Sequence, residues 1–315
     1  MPDPETPPAS PAPQLSTSLP TFAQDDPGTW DHLLDAARDL DAAGFDRVVM
    51  SDHVVFGEEL GAYGRPELGG QAGGRQPTGP DGHWLEPMTT LAVLAGLTRR
   101  VRLGTNILLA ALRRPVVLAK SAATLDVLSG GRLDLGVGVG WQQAEYEAAG
   151  LDFHRRGRLL DLTLDTCRTL WRERVAVLDT PDLVFGPTHM MPKPRQPGGV
   201  PIWVSGTINP SVVRRLARFG SGWIPWGAAA ADPATSIPQM KEALAAAGGD
   251  ADGLQVVGSL RAVRHDDRTI DAAATMATVP GLVAAGVTDV RIGLAPADMT
   301  AERLDPLVAA FRNAV

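Results

Sequence analysis

The sequence predicts an α/β fold, specifically a (β/α)₈ barrel of the TIM type with insertions. Three observations point there. Short apolar or β-branched runs alternate eight times with amphipathic stretches along 315 residues. The helical stretches repeatedly open on proline and close on glycine, the polarity that helix ends favour. Polar residues also gather just after the apolar runs, where a barrel carries its chemistry. Alternation favours a barrel over an open doubly wound sheet but does not by itself require closure.

In chain order, residues 15–19 read as the first strand. Residues 29–43 follow as a helix with Leu33, Leu34, Ala37 and Leu40 at helical spacing and Gly44 at its end. Strand two is 45–50. The helix Pro87–Leu97 precedes strand three, 101–107, and the helix Pro115–Leu128 runs to Gly130-Gly131. Strand four, 133–139, alternates Leu133, Leu135, Val137 and Val139 with Asp134, Gly136 and Gly138. Glycine on one strand face admits a ligand or another backbone close by. Helices over 142–148 and 157–171 lead to irregular chain over 180–199. Strands then fall at 201–205, 222–225, 254–259 and 287–293. The helices between them are Pro210–Phe219, 233–247 and 270–285, and 301–313 closes the chain. Residues 54–85 break the pattern: 57–82 hold nine glycines and three prolines without periodicity. A loop this long is functional or disordered, here a lid over the active face or an insertion without a role.

Composition narrows the function. Apolar residues make up 44%, enough for a large core, and no run of eighteen apolar residues marks a membrane span. Residues 1–13 are rich in proline without an apolar signal core, so a disordered tail precedes a single domain over 14–315. Cys167 is the lone cysteine, which leaves no intrachain disulfide and suits a cytoplasmic protein. The net charge of −7 argues against nucleic-acid binding. His32, His83, His154, His189 and His265 are scattered without metal-ligand spacing, so no metal is expected.

Candidate chemistry sits at four strand ends. Asp52 and His53 follow strand two; an imidazole there can bind a ligand or move a proton, or else Asp52 caps a turn while His53 packs at the rim. Thr105, Asn106 and Ile107 end strand three, suited to a planar ring or to turn capping. The run Gly136-Val137-Gly138-Val139-Gly140 lacks the acidic partner of a dinucleotide fingerprint. Its better use is to let a flat ligand lie against the strand end. Ser205, Gly206 and Thr207 enter a helix N-terminus and make a phosphate cradle, or simply a cap. Arg155, Arg156 and Arg158 form a basic run, read as a solvated ion-pair face or a ligand site.

Together, Gly44-Phe45, Ser51-Asp52-His53, Glu86-Pro87, Val101 to Thr105, Arg114-Pro115, Ser129 to Arg132, Leu135 to Trp141 and the Phe153/Arg155/Arg158 segment resemble the bacterial-luciferase-like superfamily. The Ser-Asp-His tripeptide is most similar to its F420-dependent branch. The resemblance implies a barrel binding coenzyme F420 or FMN at the strand ends. It implies that Asp52 contacts the ring system, that His53 faces its reactive carbon as the catalytic group, and that Asn106-Ile107 is a non-prolyl cis peptide. Val139 and Gly140 would line the ring, and Ser205, Gly206 and Thr207 would hold the phosphate. A sugar-phosphate dehydrogenase branch carries a catalytic glutamate where this chain has Trp141, which would instead shape the substrate pocket. Glu145, one turn further, is a substitute for it or an ion-pair residue. The expected activity is F420-dependent hydride transfer with a small organic substrate. The alternatives are an FMN-dependent monooxygenase and a non-catalytic flavin-binding barrel. A homodimer is also implied.

Overall fold

The computed structural model describes residues 12–315. The tail expected over 1–13 therefore lies outside the described residues but for Ala12 and Pro13. Eight parallel strands close a barrel. They are β1 (Gln14–Ser18), β2 (Arg47–Met50), β3 (Arg102–Thr105), β4 (Leu133–Val137), β5 (Ile202–Gly206), β6 (Gly220–Pro225), β7 (Gln255–Leu260) and β8 (Asp289–Ile292). Each pairs with its sequence neighbour, and β1 closes the ring by pairing with β8, Leu15 opposite Val290 and Thr17 opposite Ile292.

Helices form where the sequence places them, and their termini explain why. Pro87, Pro115, Pro210 and Pro233 each occupy the first helical turn, where the missing N–H has no partner to lose. Glu86, Asn209 and Asp232 cap three of these helices by accepting backbone N–H groups. The helix Asp31–Ala43 buries Leu33, Ala36, Ala37 and Leu40 on one face. It stops at Gly44, whose φ of +95° suits glycine and whose N–H reaches Leu40 O.

Two regions differ from the sequence expectation. The helix expected over 270–285 is two short ones, Ala272–Met276 and Val279–Ala284. Pro280 has no N–H and its ring crowds the carbonyl four residues back, that of Met276, so the first helix ends there. Within the stretch expected to be irregular, Val184–Thr188 pairs antiparallel with Ala176–Asp179, which alternates buried and exposed residues. Strands this short leave too few residues for period-two alternation to stand out.

The glycines of β4 make room for chain rather than for ligand. A Cβ on Gly136 would fall 2.0 Å from Thr105 O, and one on Gly138 would fall 2.2 Å from Ile107 Cδ1. The chain beyond β3 uses this space: Leu108 N donates to Gly136 O at 2.7 Å, as does Thr105 Oγ1.

At the N-terminal end of the barrel the interior is polar. Arg47 on β2 bridges Asp134 on β4 (2.9 Å) and Asp289 on β8, and it stacks over Trp203 of β5. Arg102 adds a second clasp on Asp134, and Ser16 of β1 bonds Asp289. Burial would pull the Arg47 guanidinium below its ordinary pKa, but Asp289 and Asp134 hold it above. The two Arg47 bonds link strands that are not neighbours, so they brace the barrel across its bore. Arg47→Met leaves Asp289 and Asp134 short of a buried cation and is expected to cost about 3–5 kcal/mol, read as a lower urea midpoint against wild type.

Candidate functional site

The C-terminal ends of the strands surround a cavity of about 640 Å³, within the range that holds cofactors and drug-sized ligands. The residues that the resemblance assigned to cofactor and substrate all lie in its wall, whereas Thr105, Glu145, Arg155 and Arg158 do not. Asp52 and His53 come from β2, and Asn106 and Ile107 from beyond β3. Val139, Gly140 and Trp141 come from beyond β4, and Ser205, Gly206 and Thr207 from β5 and the turn after it. These residues are distant in sequence and meet only because the barrel closes. The Asn106–Ile107 peptide is cis, as the resemblance implied.

Asp52 is buried, and its carboxylate is already engaged by protein donors. Oδ2 accepts from Leu109 N at 2.8 Å and from Arg113 Nη1 at 2.6 Å, while Oδ1 accepts from Arg113 Nη2 at 3.1 Å. Arg113 in turn holds Glu86 at 2.6 Å. Burial would raise the Glu86 carboxyl, but Thr89 N–H and Arg113 keep it below the usual range. Asp52 thus fixes the chain after β3 against the end of β2. The ring contact that the resemblance assigned to it leaves only one acceptor position, on Oδ1.

His53 sits in an aromatic setting, its side chain 10% exposed. Its ring packs on Phe56 at 4.4 Å and meets Trp84 and Trp141 edge-on at 4.9 and 5.9 Å. Nδ1 lies 3.2 Å from Glu145 Oε1, out of line for a strong hydrogen bond, and Nε2 lies 3.4 Å from Gln76 Nε2. Glu145 is fully buried and no arginine or lysine pairs with it. Its Oε1 accepts from Val54 N at 2.8 Å, and Oε2 has no partner. Glu145, read as a substitute for the catalytic glutamate or as an ion-pair residue, pairs with no arginine or lysine and stands beside the imidazole of His53.

The loop 54–85 is folded over the mouth. Short 3₁₀ turns at Leu60–Gly64 and Pro66–Leu68 lead to a two-residue ribbon, His83–Trp84 with Phe22–Ala23. Val54 is held by Glu145, Gly57 by Gln142, and Gly70 O by Trp226 Nε1 at 3.0 Å. Tyr63, Gln76 and Trp84 from this segment line the cavity. The reading of it as an insertion without a role therefore gives way, because the loop builds one wall of the site.

Opposite lies the turn after β5. Gly206 takes φ +149°, and a Cβ there would fall 2.6 Å from Val212 Cγ2, so glycine is required. The helix that follows is already capped: Asn209 Oδ1 accepts from Ser211 N and Val212 N. Donors for an anion must then come from the turn 205–209 and from a group the sequence reading did not separate out. Arg155 and Arg158 are exposed and pair with Asp182. Arg156 lines the cavity, hydrogen-bonds the carbonyls of Phe153 and Leu68, stacks over the Phe153 ring at 3.8 Å, and leaves Nε buried without a hydrogen-bond partner. Burial holds its guanidinium below the ordinary value. A half-buried cation without a carboxylate partner, beside the glycine turn at Gly206 in the same cavity wall, fits the phosphate of FMN or F420. The three arginines look alike in sequence, and only helix phase turns Arg156 inward. Among the described residues, no group of three or more His, Cys, Asp or Glu is placed to hold a metal, and no helix is long and apolar enough to cross a membrane.

A closed parallel barrel with flanking helices and a cavity at the strand ends belongs to the class of (β/α)₈ barrels. The sequence profile described as luciferase-like monooxygenase matches residues 14–286, and the chain belongs to this family of oxidoreductases and monooxygenases. An uncharacterised protein of Mycobacterium tuberculosis is 38% identical over 140 residues, 44% of this chain and 49% of that protein. The chain thus spans about half the length of that relative. Among solved structures, an F420-dependent secondary alcohol dehydrogenase in complex with an F420-acetone adduct superposes with TM-score 0.73 at 16% identity. That match covers 96% of this chain and 99% of the other. The monooxygenase RslO1 from Streptomyces bottropensis gives TM-score 0.70 at 22% identity, covering 95% and 99%. At these identities both establish the shared fold.

The anchoring role of Glu145 is open to hydrogen exchange. Glu145→Ala removes the acceptor of Val54 N–H and should speed exchange over residues 54–57 by about tenfold, whereas Glu145→Gln keeps an acceptor oxygen and should change it little.

Proposed function

We propose that this protein is an F420-dependent oxidoreductase acting on a small organic substrate. The observation that carries the reading is His53, a proton-handling side chain in the cavity wall with the buried carboxylate of Glu145 beside its Nδ1. Hydride transfer to or from a carbon–oxygen bond needs a proton moved at the oxygen; burial pushes the Tyr63 phenol up, which leaves His53 of the aromatic wall for that work. When bound, the deazaflavin supplies or accepts the hydride. The chain's own residues do the rest. Val139, Gly140, Asn106 and Ile107 form the surface against which the ring lies. Ser205, Gly206, Thr207 and Arg156 hold the phosphate, while Asp52 and Arg113 keep the strand ends in place. Trp141 and the loop 54–85 shape the substrate pocket, exclude water and act as its lid.

The same cradle accepts FMN, and the enclosed aromatic wall favours the second reading, a monooxygenase using reduced flavin and O₂. A non-catalytic flavin-binding barrel is disfavoured by the volume of the cavity. Titrating the apoprotein separately with F420 and FMN separates the first two readings: tighter F420 binding is expected, and tight FMN with negligible F420 reverses the ranking. Arg156→Ala should weaken whichever ligand binds by at least about tenfold, the scale of a charge-assisted bond. His53→Ala should abolish turnover while changing cofactor affinity by no more than about twofold, a loss confined to the reacting state.

We infer that the protein is a homodimer. Val93 on Pro87–Leu97 and Val116, Val117 and Leu128 on Pro115–Leu128 are exposed, Leu128 by 71%, on two helices that pack side by side. Light scattering at micromolar concentration should give twice the chain mass, and Val117→Glu with Leu128→Glu should return it to the monomer value.

A further inference from the structure

The cavity is chemically lopsided. Arg156, His154 and the Arg215–Asp161 pair lie toward the turn after β5. The other end is a continuous aromatic wall: Phe22 stacks on Trp84 at 4.4 Å, Trp84 meets His53, His53 meets Trp141, and Trp141 meets Tyr63 at 5.5 Å. Among the described residues no lysine or arginine joins these rings; the carboxylates near them are Glu67, on the same loop as Tyr63, and Glu145, behind His53.

Its indole N–H groups differ in a telling way. Trp84 Nε1 donates to Thr78 Oγ1 at 2.9 Å, and Trp226 Nε1 donates to Gly70 O at 3.0 Å; both are spent on holding loops. Trp141 is 5% exposed, lines the cavity, and its Nε1 is buried without a partner. An indole N–H only donates, so whatever satisfies it must bring an acceptor. A ligand carboxylate would supply one, but its charge would be buried without a cation beside it, at a cost of several kcal/mol. An ammonium could lie over the rings, but it brings no acceptor and leaves the N–H unsatisfied. A flat, uncharged body buries the most apolar area against these rings, and a single carbonyl oxygen answers the single donor.

We propose that the aromatic end is the substrate subsite, and that it takes an uncharged aryl ketone, or the alcohol related to it, whose oxygen accepts from Trp141 Nε1–H beside His53. The proposal rests on the reading above only in giving the charged end to the cofactor. Four probes of one shape test it: acetophenone, ethylbenzene, benzoate and benzyltrimethylammonium. Each is titrated by ligand-observed NMR into the protein loaded with whichever cofactor it retains, and into the unloaded protein. Acetophenone should bind at least about fivefold tighter than ethylbenzene and ahead of both ions. Trp141→Phe keeps an aromatic ring and removes the N–H; it should erase that preference while leaving ethylbenzene unchanged. Tightest binding by either ion, equal weakening of acetophenone and ethylbenzene by Trp141→Phe, or no acetophenone binding in either form overturns the proposal. Cofactor retention is read by absorbance in the same samples. A retained cofactor without the ketone preference sinks the subsite and spares the oxidoreductase reading; a Trp141-dependent preference without any cofactor does the reverse.

Discussion

Everything in this protein depends on the pairing of β1 with β8, which closes the barrel. Leu15 opposite Val290 and Thr17 opposite Ile292 join residues some 275 positions apart. Until that ladder forms, the strand ends that carry Asp52, Asn106, Gly140 and Ser205 have no common centre. Closure is backed by the polar layer beneath it, where Arg47 reaches across the bore to Asp134 and Asp289. An ion pair is weak evidence of stability by itself. Here the geometry makes it a register lock, because a strand that slipped would carry its charged partner away from Arg47.

The mouth is organised by a second layer of buried charge. Asp52 binds Leu109 N and Arg113, and Arg113 binds Glu86 at the head of the following helix. That chain of bonds fixes the segment 106–109, which forms one side of the cavity. Glu145 does the corresponding work on the opposite side, facing His53 while pinning Val54 at the root of the loop. The contrast between the two carboxylates matters for chemistry. Asp52 is paired with an arginine, whereas Glu145 has no arginine or lysine and stands beside the imidazole of His53.

The glycines of β4 show how packing can change the meaning of a motif. Read in line, Gly136-Val137-Gly138-Val139-Gly140 looks like a bed for a flat ligand. In space, the missing side chains of Gly136 and Gly138 are replaced by Thr105 O and Ile107 from the neighbouring strand. The glycines let the chain after β3 turn inward, and that turn carries Asn106 and Ile107 into the cavity wall. The turn thus adds Asn106 and Ile107 to a wall that Gly138, Val139 and Gly140 also line.

Much of the architecture was legible in the residues alone. Periodicity located all eight strands, and prolines and glycines marked most helix ends, because those signals are local and repeat. The strand-end residues from Asp52 to Thr207 were identifiable because a barrel places strand ends together whatever lies between them. Pro280 splitting a helix and the short ribbon at 176–188 were also local, but too brief for a periodic pattern to separate. What only the tertiary structure decided were directions and partners. Nothing in Arg155-Arg156-Gly157-Arg158 says which guanidinium turns inward, since that depends on helix phase against a cavity formed by other strands. Nothing in the sequence puts Glu145 beside His53, or leaves Trp141 Nε1 buried without a partner. Such facts are set by contacts between residues tens of positions apart, and a linear pattern does not carry distance.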